Sequence, residues 1–436
     1  MSQQTRRSFL RQTASGTAAA ALGTLAVPAV QARGANEAFV VGMIGCSGRG
    51  TAVGEELRKL GVKIAYACDP DESRAERARK TLEAGRAIAD LRTILDDRTV
   101  DAVAITACNH WHAPAAILAC QAGKHVYVEK PCSHNIAEGR RMIEAARRTG
   151  KVMQVGSQIR GTKAFQEGIA MVREGAVGKV LVAKTWVSRK RPNIGHCQPS
   201  APPAGLDYDL WVGPAPMIPY QKNLLHYNWH WWYNFGNGDA GSRGVHQLDI
   251  ALWGLDLKTH PTRISGFGEK LYFDDDKQYP DTHYVTFEYP DDGTPGSKRL
   301  IVYEQRLWSP YWGQIDCEDG CTFYGDEGYL TVDMHQGWKL YGPKNVLRKQ
   351  AERYFDTGEH CADFLDAVRN NRRPCADIEI GHLSAALPHL TNILARTGRG
   401  QLTFDPKTER FVDAPDADAL LGRTYREGHW ASLDNT

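Results

Sequence analysis

The chain has 436 residues, 42% of them hydrophobic and 24% charged, which is more than one core usually supports and predicts two domains of ordinary globular composition. Its formal charge of +2 falls to −1 without residues 1–32, which carry three arginines and no acid, so nothing in the balance points to nucleic acid or an acidic membrane as partner.

The first element is residues 1–32. Arg6 and Arg7 stand before Phe9 and Leu10, a weakly apolar run follows from Ala14 to Val27, and Val30-Gln31-Ala32 puts small residues where a signal peptidase cuts. The order resembles a twin-arginine signal, which is an address read by the export machinery and not an anchor. A periplasmic or secreted location is therefore expected. No later stretch approaches about 20 uncharged apolar residues, so no membrane span is expected.

From residue 37 to 158, apolar runs of strand length alternate with amphipathic helical patterns. "FVVGMIG", "VKIAYACD", "VDAVAIT", "KHVYVEKP" and "KVMQVG" are the strands; 51–60, 72–82, 113–122 and 136–149 are the helices. Continuous apolar strands separated by helices predict a parallel sheet covered on both faces, an α/β doubly wound fold. The first strand runs into Gly45-Cys46-Ser47-Gly48-Arg49-Gly50 and then a helix, where a turn of this kind aims helix N–H groups at a pyrophosphate. Ser47 replaces the second glycine, so its hydroxyl must either serve a phosphate oxygen or displace the ligand slightly. Asp69 ends the second strand, placed to accept both ribose hydroxyls; a carboxylate there repels a 2′-phosphate and favours NAD over NADP.

Two stretches fall at strand ends where open sheets bind ligands: "TACNHWHAP", Thr106 to Pro114, and "EKPCSHN", Glu129 to Asn135. With the glycine turn they resemble the glucose-fructose oxidoreductase, inositol dehydrogenase and MocA (Gfo/Idh/MocA) family. The resemblance implies that Lys130 lies beside the nicotinamide and the reacting hydroxyl, while Asn109, His112 and Glu129 hold the nicotinamide ribose. A lysine fixed before a proline and partly desolvated has a lowered pKa, suited to acid/base work.

Residues 159–436 form the second domain. "KVLVAKTWVS", "PTRISGFGEK", "HYVTFEYP" and "RLIVYEQR", with turns at 290–293 and 325–328, predict a largely antiparallel sheet. Late helices at 359–370 and 378–397 are expected to return to the first domain. The resemblance implies an α+β domain whose open sheet often makes a homo-oligomer. Asp274-Asp275-Asp276 reads as a solvated turn and 369–374 as a polar loop.

"NWHWWYNFGNGDAGSRGVHQLDIALWGL", Asn228 to Leu255, crowds five aromatic rings ahead of a glycine-rich turn and a helix from about Val245. Flat rings suit the C–H faces of a sugar. Trp229, His230, Asp239, Ser242 and Asp249 are the candidate substrate contacts. The family's Asp-x-x-x-His pair matches here as Ser242 and His246, with Asp249 the further acid; the acid that would orient the imidazole is missing, and Asp239 or Lys130 alone could take over. His226 and His230 lack the intervening Glu of a metalloprotease helix, and Cys317 and Cys321, the one close cysteine pair, have no second pair at metal spacing. No metal centre is expected; whether that pair is bridged stays open.

The expected function is an exported NAD-dependent oxidoreductase acting on a secondary hydroxyl of a sugar or polyol, with Lys130 and His246 catalytic. A periplasm maintains no NAD pool, so the cofactor would be tightly bound and recycled in each cycle. Two alternatives are an NAD-dependent glycoside hydrolase or lyase working by transient oxidation and elimination, and a catalytically silent sugar-binding protein.

Overall fold

Val40–Ile44, five buried residues in a row, form β1, the central strand of the first sheet. The computed structural model describes residues 38–311 and 317–433, so the export reading of residues 1–32 lies outside the described residues. Lys63–Cys68 (β2), Arg86–Ile88 (β3), Ala102–Ile105 (β4), His125–Val128 (β5) and Met153–Val155 (β6) complete a six-stranded sheet in the order β3-β2-β1-β4-β5-β6. Every pairing is parallel. The order reverses between β1 and β4, and ligands of such sheets bind at that crevice. Strand β3 is the one element of this sheet that the hydrophobic pattern does not reveal; it is short and half-exposed.

Local chemistry sets the helix ends. The helix Ile136–Thr149 starts where Asn135 accepts the Glu138 N–H and stops at Gly150, whose φ of +65° suits glycine. The helix Asn109–Gln121 begins four residues earlier than its apolar pattern suggests, so Asn109 and His112 occupy its first turn at the crevice.

The second sheet has ten strands. Val182–Ser188 (β7), Arg263–Glu269 (β8), Thr282–Glu288 (β9) and Leu300–Arg306 (β10) are followed by Asp319–Tyr324 (β11), Tyr329–Asp333 (β12), Gly337–Tyr341 (β13) and Leu347–Ala351 (β14). Gln401–Asp405 (β15) and Arg410–Phe411 (β16) close one edge. Only β7 and β10 run parallel. Alternating burial along β9 and β10 turns one face toward the helices Val245–Gly254 and Ile378–Thr397 and leaves the other open.

The late helices do return to the first sheet. Cys361, Phe364 and Leu365 of the helix Thr357–Arg369 share a core with β1 and the helix Gly48–Lys59, and Tyr425 and Leu433 join the core on the opposite face. Of the acidic run 274–276, Asp274 is solvent-exposed as expected, but Asp275 and Asp276 are not. Asp275 is buried and ion-paired with Lys277, and Asp276 accepts from the Asn223 side chain at 2.8 Å and the Cys197 N–H at 2.9 Å. Burial without those donors would be costly, so the loop 193–197 folds over the run to supply them. All ten cysteines are free thiols, Cys317 and Cys321 included.

Candidate active site

The turn after β1 has the shape a dinucleotide phosphate needs. Gly45 has φ +88°, and a Cβ there would come within 2.5 Å of the Ala107 nitrogen; a Cβ on Gly50 would strike the Gly45 carbonyl. Gly48 faces open space. Ser47 caps the helix Gly48–Lys59 without a side-chain bond and is exposed, so its hydroxyl is available, and the first turn carries no acid to repel an anion. The residues fit NAD: the turn and Ser47 would hold the pyrophosphate. Asp69, at the end of β2, would hold the adenosine ribose. Its carboxylate accepts from the Cys46 N–H at 2.8 Å and the Asp71 N–H at 3.0 Å, which fixes it in the turn, and burial raises its pKa.

Beside Asp69 lies a small pocket roofed by Trp211 and Trp430, both from outside the first sheet's own segment. The segment leading to Trp211 is tied to the loop after β2. The Asp207 N–H donates to the Pro70 carbonyl at 2.9 Å, the Glu72 N–H to the Gly205 carbonyl at 3.0 Å, and His226 lies 3.1 Å from the Asp71 carboxylate.

Next to it a cleft of about 430 Å³ brings together residues from both halves of the chain. Arg49, Asn109, His112, Glu129 and Lys130 line one wall; Trp229, Ser242 and His246 line the other. Lys130 precedes a cis proline, and its Nζ donates to the Ser242 carbonyl at 2.7 Å. One of its three N–H groups is thus committed and two remain for a ligand. Burial lowers the Lys130 pKa; Glu129 partly offsets this, and the Arg49 charge pushes the same way as burial. Glu129 is fixed by Gln158 at 2.6 Å and the Lys130 N–H at 3.2 Å, with Arg49 at 3.8 Å. The His112 ring nitrogens lie 2.7 Å from the Pro131 carbonyl and 2.9 Å from the Ala107 carbonyl; burial lowers its pKa, so the neutral ring donates to one of them and packs between the Lys130 loop and the turn after β4.

The second wall departs from the sequence expectation in three places. Ser242 contributes its backbone carbonyl to Lys130 from a widened turn, Ala240–Gly244, ahead of the helix. Asp239 does not replace the missing acid: its wholly buried carboxylate takes both arms of Arg191, at 2.6 and 2.7 Å, and thereby holds that guanidinium at the cleft. Asp249 lies outside the cleft, bound by Arg160 at 2.9 Å and by Ser384. His246 therefore has no carboxylate partner among the described residues. Burial lowers its pKa well below the usual imidazole range, with Lys130 and Arg49 pushing the same way, so it enters the cleft neutral.

Of the aromatic run, only Trp229 reaches the cleft; Trp231, Trp232 and Phe235 are core. His230 is buried behind it, its Nδ1 2.7 Å from the Tyr227 carbonyl and its Nε2 3.8 Å from Asp239. The cleft also holds Arg189, Arg191, Tyr227, Arg243 and His335, none anticipated from motifs. Arg189 and Arg191 follow the end of β7, so a basic run closing a strand was the available signal.

Beneath Arg243 and Arg189, at 3.7 and 4.0 Å, lies Asp319, almost wholly buried and pushed up to about 7 by that burial. Its folded pKa stands above the ordinary 3.8, so its contribution favours the fold fully below about pH 4 and is lost as pH rises through about 7. Asp319→Asn is expected to flatten that loss. Thermal melts at about pH 5 and about pH 8 should show the variant gaining on the parent at the higher pH by up to a few kcal/mol; parallel curves would contradict the assignment.

Among the described residues one cluster has metal-ligand chemistry, His260, His382 and Glu409, away from the cleft. Glu409 accepts from the two imidazoles at 2.9 and 2.8 Å and also from Arg140, a cation already in place.

Comparison with known proteins agrees with this geometry. The model of the Gfo/Idh/MocA oxidoreductase family's NAD-binding Rossmann fold matches residues 39–157, and that of its C-terminal alpha/beta domain matches 181–294 and 324–431. Myo-inositol 2-dehydrogenase of Thermotoga maritima is 31% identical over 169 residues, 38% of this chain and 47% of that protein; the match thus spans about half the relative's length. The scyllo-inositol 2-dehydrogenase (NAD(+)) of Bacillus subtilis is 24% identical over 72% of this chain and 81% of its own. The crystal structure of aldose-aldose oxidoreductase from Caulobacter crescentus shares the fold, with TM-score 0.65 and 16% identity over 84% of this chain and all of that one.

Proposed function

The chain belongs to the Gfo/Idh/MocA oxidoreductase family, and from that premise we propose that it is an exported, NAD-dependent oxidoreductase acting on a secondary hydroxyl of a sugar or polyol. The observation that carries the reading is Lys130, held on the Ser242 carbonyl and facing a cleft continuous with the glycine turn's Arg49. Bound NAD supplies a hydride acceptor. The chain's own task is to bind the sugar and take its hydroxyl proton. Lys130 Nζ, with its lowered pKa, is the base, and neutral His246 accepts a hydrogen bond from the same or a neighbouring hydroxyl. Trp229 offers a ring to the sugar's C–H face.

The twin-arginine pattern of residues 1–32 supports export in a folded state, and the tryptophan roof near Asp69 supports slow exchange of the cofactor. A cofactor so held must be returned to its starting state in each cycle. Self-association through the open face of the large sheet is part of the same reading, supported by exposed Phe267, Tyr284 and Tyr324.

The test is direct. Mature protein, purified after export and denatured, should release about one NAD(H) per chain into the supernatant; none would sink both tight binding and recycling. The native protein should then turn over paired aldose and ketose substrates. Release of chromophore from chromogenic glycosides, dependent on Lys130, would instead favour the hydrolytic route, which the missing acid at position 242 keeps in view.

A further inference from the structure

A second polar cavity, of about 300 Å³, shares no lining residue with the catalytic cleft. His134 and Asn135, on the loop just after Lys130-Pro131, form part of its wall. Asn237, Asn392 and His389 form another part, and the exposed Arg396 stands at its edge. The first five are each more than nine-tenths buried.

Their polar atoms are unusually short of partners. Both ring nitrogens of His134, Asn135 Nδ2, Asn237 Oδ1, His389 Nε2 and Asn392 Oδ1 are shielded from water without a hydrogen bond, as is Nη1 of Arg423, another wall residue. Leaving such groups unsatisfied costs free energy, so a fold rarely gathers several in one place without an occupant. The other polar atoms of these side chains are committed: Asn237 Nδ2 donates to the His134 carbonyl at 2.8 Å, and Asn392 Nδ2 to the Asn237 carbonyl at 2.9 Å. These bonds build the wall and leave the carbonyl oxygens of both amides spare.

The spare groups define a ligand class. The unpartnered atoms include both donors and acceptors, which suits hydroxyl groups. None of the lining side chains is a carboxylate, and two are guanidinium groups. Arg423 is balanced by Glu138 at 2.7 Å, whereas Arg396 rests on the Tyr233 ring, 4.4 Å from its centroid, and has no ion pair among the described residues. Both imidazoles are kept neutral by burial and add no charge. One uncompensated positive charge at the rim of a hydroxyl-matching cavity calls for one negative charge on the occupant.

We propose that this cavity is a second binding site, separate from the catalytic cleft, for a small polyhydroxylated monoanion of the sugar-acid class. It does not depend on the redox reading. Its walls include the loop that follows Lys130 and the residues that lead to Ser242, so an occupant braces both segments from behind.

The experiment is calorimetric titration of the NAD-loaded full chain with sodium D-gluconate, and with myo-inositol as a neutral polyol of similar size. The expected result is saturable gluconate binding that weakens at least tenfold in Arg396→Ala and in Asn392→Leu and is unchanged in the cleft variant His246→Ala, while any myo-inositol binding belongs to the cleft and is unchanged in Arg396→Ala. Arg396 is exposed, so its variant keeps the test valid if Asn392→Leu fails to fold. No saturable gluconate binding, gluconate binding indifferent to Arg396→Ala, or myo-inositol binding that weakens in Arg396→Ala as gluconate's does would each overturn the proposal.

Discussion

Lys130→Ala is expected to lower turnover by about 10²–10⁴-fold, the usual contribution of a positioned acid/base, while bound NAD(H) stays at the parent level. The split follows from what Lys130 touches. Its one fixed bond is to the Ser242 carbonyl at 2.7 Å, across the cleft, and the phosphate-facing turn at residues 45–50 does not depend on it. The His246→Ala loss should be smaller, because no carboxylate charges or orients that imidazole and a neutral ring can only share a proton already moving. The pH profile separates base from bystander. If Lys130 takes the proton, kcat/KM rises with pH on a limb centred below the ordinary lysine value of 10.5, in the direction set by burial. That limb should vanish in Lys130→Ala and persist in His246→Ala. A profile unchanged by the lysine substitution, or loss of NAD(H) along with activity, would return Lys130 to a structural role.

What could be read from sequence was chemistry local to the chain. The β1 strand, its glycine turn, Asp69 and the Glu129-Lys130-Pro131 loop each carry their meaning within a few residues, and the parallel sheet follows from uninterrupted apolar runs. What stayed hidden was decided by partners far away in sequence. Asp239 and Asp249 look alike as acids around a histidine; one is claimed by Arg191, 48 residues back, and the other by Arg160, 89 residues back. No spacing rule announces such pairs. His112 was legible as a strand-end histidine, but its packing role needs the Pro131 and Ala107 carbonyls in place. Asp275 and Asp276, though not the exposed Asp274, misled for the same reason: adjacent like charges imply solvent until a lysine and a folded-over loop supply the donors.

The Asp249 assignment makes the second large prediction, in stability and not in catalysis. Asp249 accepts from Arg160 Nε with both oxygens at 2.9 Å and from the Ser384 hydroxyl, joining the start of the second domain to the helices Val245–Gly254 and Ile378–Thr397. The Arg160 side chain is 8% exposed and lies over the Trp253 ring, so it cannot turn to water when its partner is lost. Asp249→Ala is therefore expected to cost about 3–5 kcal/mol, most of it the penalty of a buried guanidinium left alone. Asp249→Asn keeps the shape and a hydrogen-bond acceptor for Ser384 but not the charge, and should cost less. Replacing the pair together, Arg160→Met with Asp249→Leu, removes both charges and should recover much of the loss. Denaturant unfolding measures all three. The kinetic arm is equally specific: whatever folded Asp249→Asn protein remains should keep the parent KM, since the carboxylate does not line the cleft. A KM rise with unchanged stability would restore the substrate role that its position one turn after His246 suggests.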